Sequence, residues 1–188
     1  MDMKSFLHKL RKLTWLRKYW FHILVWVAMV IYVVIAPSAY SRFILRDGKP
    51  VSLDLVLPAN TAKMMYSVDR LDPIIFHGQN LYTLWGWAFI PGEADQSIYE
   101  RFIVLRSDTK TYFFPVVNST RPDVQSAFAN LHLDLLNSGF TTYLAKDDIP
   151  RGSYRVGILF RHKASSLLKY LDTNSIIIRT ANQLQLVK

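Results

Sequence analysis

An uncharged run of 17 residues, Trp20–Ala36, limits more than any other feature what this 188-residue chain can fold into. As an α-helix the run would extend about 26 Å at roughly 1.5 Å per residue, the lower end of what a bilayer core requires. Aromatic residues stand at both ends of the extended segment, with Tyr19 and Trp20 before it and Tyr40 after it, as in the interfacial belts of membrane helices. The run predicts a transmembrane helix over residues 19–40.

Positive charge is concentrated before this run. Residues 1–18 hold six Lys or Arg against one Asp, and three Lys or Arg occur in the first 15 residues after residue 36. The positive-inside rule therefore predicts a cytoplasmic N-terminus, with the rest of the chain periplasmic or extracellular. Apolar residues from Phe6 onward recur at helical steps, so residues 1–18 are predicted to be a basic amphipathic segment. That segment is either a simple topogenic flank or a docking surface for lipid headgroups or a partner membrane protein.

A cleaved signal peptide is the alternative interpretation of the N-terminus. Its apolar core would span 7–15 residues, which is shorter than the run observed here. Pro37 also stands where a cleavage site requires small residues. An uncleaved signal-anchor in the cytoplasmic, or inner, membrane is therefore favoured, followed by a short connector at 41–50.

Composition and charge exclude several classes of protein. The chain contains no Cys, which excludes disulfide scaffolds, thiolate zinc sites and cysteine nucleophiles. The net charge is +9, which would suit a nucleic-acid-binding protein. More than half of that excess lies in residues 1–18, however, and no Gly-rich aromatic motif of the RNA-binding type occurs. Nucleic acid is therefore not expected as a partner.

After residue 50 the apolar pattern changes to period two. Val51–Leu57 alternates apolar and polar residues up to Pro58, which predicts a strand with one buried face. Turn-forming residues separate about eight such runs, so residues 51–188 are predicted to form an Ig-like antiparallel β-sandwich. The further predicted strands are Met64–Val68, Asn80–Ile90, Ser97–Arg106, Thr111–Val117, Thr141–Ala145, Tyr154–Arg161 and Asn174–Thr180.

One segment departs from this pattern. Between Asp123 and Asn137 apolar residues are placed at helical spacing, which predicts a short helix inserted between strands. Asp123 is expected to cap its N-terminus and Gly139 to end it.

Catalytic motifs are not found in the sequence. The five His are isolated, and no phosphate loop, dinucleotide fingerprint or Gly-x-Ser-x-Gly occurs. The neighbouring carboxylates fall in turn-like stretches, where a solvated role is expected. Asn118-Ser119-Thr120 matches a glycosylation sequon. The sequence therefore predicts a protein without a metal, a cofactor or an enzymatic activity.

Five short motifs follow one another at characteristic spacing between Val68 and Arg179. In this order they resemble the β-sandwich modules found beside or fused to bacterial cell-envelope glycosyltransferases and related surface-polysaccharide proteins. The chain departs from those proteins in having an anchor and no catalytic domain, so the resemblance implies an accessory role. The motifs are Gly86-Trp87-Ala88-Phe89, Arg121-Pro122-Asp123-Val124, Phe128, Ser138-Gly139-Phe140 and Arg151-Gly152-Ser153-Tyr154-Arg155-Val156.

The expected function is that of a non-enzymatic, single-pass accessory protein whose sandwich binds a partner membrane subunit or an envelope glycan. A membrane-tethered carbohydrate-binding module is the first alternative, and an enzyme of envelope polysaccharide processing is a remote one. The candidate binding residues are Arg121 and Asp123, for sugar hydroxyls, with Trp85 or Trp87 as a stacking plane. On the structural alternative, Asp123 is a cap tied to an Arg, and Trp87 packs between the sheets.

Overall fold

The computed structural model describes residues 19–34, 48–53, 55–58, 63–76 and 79–188. It divides into two compact units, Met1–Phe43 and Ile44–Lys188. In the first unit residues 19–34 form an α-helix, α1, and all of them are exposed. Among the residues that the structure describes, no helix combines the length and apolarity needed to cross a bilayer. The predicted basic segment 1–18, the end of the predicted span at 35–40 and connector residues 41–47 lie outside the described residues.

The described part of the second unit is mainly β, which confirms the predicted class. Its strands are β1 (Met65–Phe76), β2 (Gln79–Phe89), β3 (Tyr99–Arg106), β4 (Thr111–Pro115), β5 (Val117–Ser119), β6 (Gly139–Ala145), β7 (Gly152–His162), β8 (Leu168–Arg179) and β9 (Leu184–Val187). They form two antiparallel sheets, ordered β1-β2-β6-β5 and β4-β3-β7-β8-β9. The helical elements are α2 (Pro122–Ala127) and the 3-10 helices Gln96–Ile98, Ala129–Leu131 and Lys146–Asp148.

The main core lies between the two sheets. Successive strand residues point to opposite faces, so alternate positions of β2 and β3 meet in this layer. Leu84, Ile103 and Leu105 have no exposed surface and belong to one cluster with Phe114 and Phe160. Complete burial of each such side chain stabilises the fold by roughly 1.5–3 kcal/mol.

The outer face of the five-stranded sheet is also apolar and is covered by a strap, residues 51–57. Leu53, Leu55 and Leu57 pack on a cluster that contains Phe102 and Tyr170. The prediction of a strand here is wrong: the described residues of the strap, 51–53 and 55–57, make one isolated bridge, from Val51 to Phe113 of β4, and no ladder. The period-two pattern is nevertheless meaningful, because its leucines share one face.

The strap should contribute to stability through its leucines. We expect Leu55→Ala to lower the free energy of unfolding by about 1–2 kcal/mol, less than for a fully buried Leu, because the side chain is only half-buried. Val56→Ala is the matched control, since Val56 is 92% exposed and its truncation should change stability by less than about 0.5 kcal/mol. Urea denaturation of the full chain measures both. Equal losses in the two variants would contradict this role of the strap.

The segment after β5 covers part of the four-stranded sheet. Val124 and Leu135 pack with Phe89 of β2 in a separate buried cluster. The predicted helix from Asp123 to Asn137 is too long, because α2 has six residues and one 3-10 turn follows it. His132 then takes the left-handed conformation, with φ 54°.

Apolar residues keep a helical spacing beyond the end of α2 although the backbone there is not helical. The Gln125 side chain bonds this backbone in place of helical hydrogen bonds. Gln125 Nε2 donates to the carbonyl of Leu133 at 3.0 Å, and the N–H of Leu135 donates to Gln125 Oε1 at 2.5 Å. These two bonds hold residues 133–135 beside α2 in a non-helical conformation. Leu135 therefore reaches the apolar cluster without belonging to a helix.

The capping predictions are also wrong. Arg121 occupies the N-cap position of α2 without a side-chain cap bond, and Pro122 begins the helix. Pro is well suited to that first position, because its N–H would lack an intrahelical partner in any case. Asp123 follows in the first turn, where its carboxylate bonds the Arg121 side chain instead. Gly139, expected to end the helix, is the first residue of β6.

The chain changes sheets after Pro115. The predicted strand Thr111–Val117 is in fact two strands: β4 pairs with β3, and β5 pairs with β6 of the other sheet. The pattern of side chains continues through the break, so it does not mark the change. The structure also contains β9, which pairs with β8 and which the strand pattern did not indicate.

Candidate functional site

A β-bulge creates the first part of the candidate site. The register of β1 and β2 shifts between Val68 and Arg70, leaving Asp69 as the extra residue. Arg70 then lies directly opposite Trp85, on the outer face of the four-stranded sheet. Its guanidinium carbon is 5.2 Å from the centroid of the Trp85 ring, and its Nε is 2.9 Å from Asp72 Oδ2.

Arg121 forms the second part. Its Nη1 donates to Asp69 Oδ2 at 2.6 Å. Its Nε and Nη2 donate to the two oxygens of Asp123, at 2.9 and 2.7 Å, so the guanidinium fork meets that carboxylate in a bidentate pair. One arginine thus joins the bulge of β1 to the first turn of α2.

Gly139 provides the space in which Arg121 lies. A Cβ atom at this position would stand 2.6 Å from Arg121 Cγ and 2.5 Å from Ser119 Oγ. Both distances are shorter than real Cβ contacts, so a side chain here would displace the arginine or β5. Gly139 therefore allows Ser119 of β5 and Arg121, the N-cap residue of α2, to approach β6 closely.

These elements line one open groove of about 320 Å³. It presents an indole ring, two guanidinium groups, a carboxylate and two hydroxyl groups within one depression. The groove, which we call the Trp85 groove, is lined by Asp69, Arg70, Trp85, Gly86, Ser119, Thr120 and Arg121.

Arg121 and Asp123 hold each other in their ionised forms. The hydrogen bonds from Arg121 lower the pKa of the Asp123 carboxyl to about 2. The same bonds, with those to Asp69, raise the pKa of Arg121 above its ordinary value. Arg121 is therefore a permanent cation, and its hydrogen bonds to Asp69 and Asp123 set the orientation of its guanidinium group.

The Arg121–Asp123 pair predicts a specific acid titration. A carboxyl whose pKa is lowered on folding stabilises the fold above its ordinary pKa of 3.8 and loses that effect as the pH falls towards about 2. We expect a carbon-detected NMR titration to give Asp123 a pKa near 2, and Arg121→Gln to return it towards 3.8. An Asp123 carboxyl that titrates near 3.8 in the unaltered protein would contradict the bidentate pair.

The structure brings together only some of the predicted site residues. Trp85 and Arg121 line the Trp85 groove. Asp123 does not line it but accepts hydrogen bonds from the Arg121 guanidinium. Asp69 and Arg70 were missed, because the predicted strand ends at Val68 and no local signal marks a bulge.

Trp87 has a different environment. It lies on the same outer face as Trp85, two residues further along β2, so the expectation that it packs between the sheets is wrong. Its ring stacks on Phe89 with centroids 5.9 Å apart, and its centroid is 5.6 Å from that of Phe128. This half-buried position holds the segment 122–135 on the sheet, away from the Trp85 groove.

In the part of the chain that the structure describes, no group of three or more His, Cys, Asp or Glu is placed so that it could hold a metal ion.

Comparison with known proteins found no matching family model, no similar curated protein and no similar solved structure. The resemblance to glycosyltransferase-associated modules accordingly stays a prediction made from short motifs.

Proposed function

We propose that this chain is a non-catalytic accessory protein, attached to a membrane through its N-terminal segment, whose β-sandwich binds a glycan in the Trp85 groove. The observation that carries the proposal is the composition of that groove. An indole ring suits the apolar face of a sugar, while Arg121, Asp69 and the hydroxyls of Ser119 and Thr120 suit its hydroxyl groups. Ligand sites typically combine an aromatic surface with a few oriented polar groups in this way.

Arg70 covers the ring of Trp85 and would have to move when a sugar stacks there. Its side chain is 63% exposed, and a cation–π contact at an exposed position contributes only about 0.5–1 kcal/mol. Its ion pair with Asp72 is similarly exposed and weak. Displacement of Arg70 therefore costs little, and its guanidinium remains near enough to donate to the bound sugar.

The sheet order supports an Ig-like form of the sandwich. The order β1-β2-β6-β5 corresponds to strands A-B-E-D of the immunoglobulin fold, and β4-β3-β7-β8 to C′-C-F-G. The strand β9 would then be an addition at the edge of the second sheet. An Ig-like sandwich hosts many unrelated functions, so the argument for a glycan rests on the groove and not on the fold.

The membrane attachment is supported by the sequence and by α1. The uncharged run Trp20–Ala36 follows a basic segment, and Trp20, Phe21, Trp26 and Tyr32 of α1 are all more than half exposed. Apolar and aromatic side chains on every side of a helix are typical of a lipid-facing segment. Under this proposal the N-terminus is cytoplasmic and the sandwich is periplasmic or extracellular.

A glycan array tests the binding proposal. The full chain in a neutral detergent would be screened against neutral, amino-sugar and uronate oligosaccharides, and the best of these titrated by calorimetry. We expect Trp85→Ala to weaken binding about 30-fold, the effect of losing a central aromatic contact. Arg121→Gln should weaken it as well.

Arg161→Gln is the matched control for charge. Arg161 lies on the other sheet and is paired with Glu100, so its replacement should leave the titration unchanged. An array without any binding, or equal affinity in the Trp85→Ala variant, would refute the proposal.

A second candidate is binding of a partner membrane subunit, which the exposed aromatic side chains of α1 favour. Such a surface fits another apolar helix as well as it fits lipid. Extraction in a mild detergent followed by size exclusion tests this candidate. A clean monomer without a co-purifying membrane protein would count against it.

A further inference from the structure

Two arginines face each other on the outer surface of the five-stranded sheet. Arg106 of β3 and Arg155 of β7 are directly paired across the ladder, so their side chains leave the sheet on the same face and close together. Like charges in directly opposite positions destabilise a sheet. A negative group beside the pair would relieve this repulsion.

Only one of the two arginines has such a group. Arg106 Nη2 forms an ion pair and hydrogen bond with Asp172 Oδ2. Arg155 has an exposed side chain and, among the described residues, no ion pair or side-chain hydrogen bond. The facing pair therefore carries two guanidinium groups and one ion-paired carboxylate, which is bonded to Arg106 alone.

Arg106 is held in place by a buried support. The hydroxyl of Tyr170 donates to Asp172 Oδ1, and Asp172 Oδ2 accepts from Arg106. Tyr170 is only 1% exposed, and its ring crosses Gly157, where a Cβ atom would stand 2.5 Å from the Tyr170 hydroxyl oxygen. Burial raises the pKa of Tyr170, so the phenol remains a hydrogen-bond donor at neutral pH. The first arginine is thus pre-oriented by groups behind it.

The pair opens onto a groove of about 560 Å³ lined by Arg106, Ser107, Asp108, Ser153, Arg155 and Ile176. Ser107 and Ser153 line the groove beside the guanidinium groups, and the Ser107 hydroxyl donates to the carbonyl of Lys110 at 3.2 Å. A second groove of about 440 Å³ shares Ser107, Asp108 and Ser153 with it and adds the basic residues Lys110 and Arg151. Asp108 is the one carboxylate among the residues that line the two grooves.

We propose that Arg106 and Arg155 form a binding site for the oxyanion group of a phosphate- or carboxylate-bearing ligand. Arg106 gives a guanidinium held by Asp172 and Arg155 gives an exposed one without an ion pair among the described residues, and the anion supplies the charge compensation that the pair lacks. Charge-assisted bonds from two guanidinium groups suit the several oxygens of a phosphate or carboxylate. The site lies on the opposite sheet from the Trp85 groove and does not depend on the function proposed for that groove.

Thermal melting and calorimetry of the full chain in a neutral detergent test this site. Inorganic phosphate should raise the melting temperature more than chloride does at equal ionic strength, because a ligand that binds only the folded state stabilises it. Arg155→Gln should weaken phosphate binding about ten- to a hundredfold, as expected for the loss of hydrogen bonds to a charged group. Without phosphate, that variant should melt no lower than the unaltered protein, because the like-charge contact is gone.

Arg161→Gln is the matched control, because Arg161 lies on the same strand and the same face but is already paired with Glu100. It should keep the response to phosphate. A second arm uses polygalacturonate, with neutral dextran as its control. Binding of the polymer through Arg155 assigns a polymer-borne carboxylate, and a response to phosphate alone assigns a free anion. No response to either anion, or the same loss in both arginine variants, would overturn the proposal.

Discussion

Replacing Arg101 with Met should lower the free energy of unfolding by about 3–5 kcal/mol, because the carbonyls of the buried residues Ser138 and Gly139, with two exposed acceptors, would lose a charged donor. Arg101 lies on β3 between inward-facing core residues. Its Nη1 donates to the carbonyl of Ser138 at 2.7 Å, and its Nη2 donates to those of Asn137 and Gly139 at 2.8 and 3.0 Å. Nη2 also bonds Asn118 Oδ1 at 2.5 Å. One side chain thus joins β3 to the ends of β5 and β6 in the other sheet.

Burial explains why this arginine is sensitive. Desolvation lowers the pKa of Arg101 to about 10, yet the group remains charged at neutral pH. Arg161→Met is the matched control, since that guanidinium lies outside the sheet in an exposed pair with Glu100, where about 0–1 kcal/mol is expected. Guanidinium chloride denaturation of the full chain measures both variants. Similar losses in the two would show that Arg101 does not link the sheets.

Gly86→Ala should cost about 3 kcal/mol, at the upper end of overpacking effects. A Cβ atom there would stand 2.3 Å from the carbonyl oxygen of Ser67 and 2.4 Å from Phe140 Cζ. The first contact is with the backbone of β1, which cannot move without disturbing the sheet. The second is with a ring that is 1% exposed and packed in the core.

Gly92→Ala separates this crowding from backbone strain. Gly92 has φ 82° and no atom within 4 Å of its hypothetical Cβ, so its replacement should cost only the roughly 1–2 kcal/mol of a left-handed conformation. Thermal denaturation of both variants gives the comparison. If Gly86→Ala is the less destabilised of the two, the crowding at β1 and Phe140 is not a determinant of stability.

Some residues of the Trp85 groove could be predicted from the local sequence pattern, and others could not. Trp85 and Arg121 were identified from their residue types, and the structure places both on one surface although Trp85 lies on β2 and Arg121 is the N-cap residue of α2. Asp69 was missed because a bulge depends on how two strands pair, and neither strand alone shows it. Alternation places Trp85 and Trp87 on the same face of β2, and what separates Trp87 from the site is the segment 122–135, which packs on Trp87 and leaves Trp85 partly open.

The period-two pattern was sufficient by itself to predict strands at the positions of β2, β3, β4, β6 and β7 and in parts of β1 and β8, because side-chain alternation is a local property of extended backbone. The turn residues likewise marked most strand ends. Only the tertiary structure decided that Val51–Leu57 is a strap and not a strand, since both conformations bury the same leucines and differ only in whether a partner edge is available. It alone also decided that the chain changes sheets after Pro115, that Arg101 points between the sheets, and that Arg106 and Arg155 meet. Each of these depends on pairing between residues far apart in sequence, which hydrophobic periodicity does not encode.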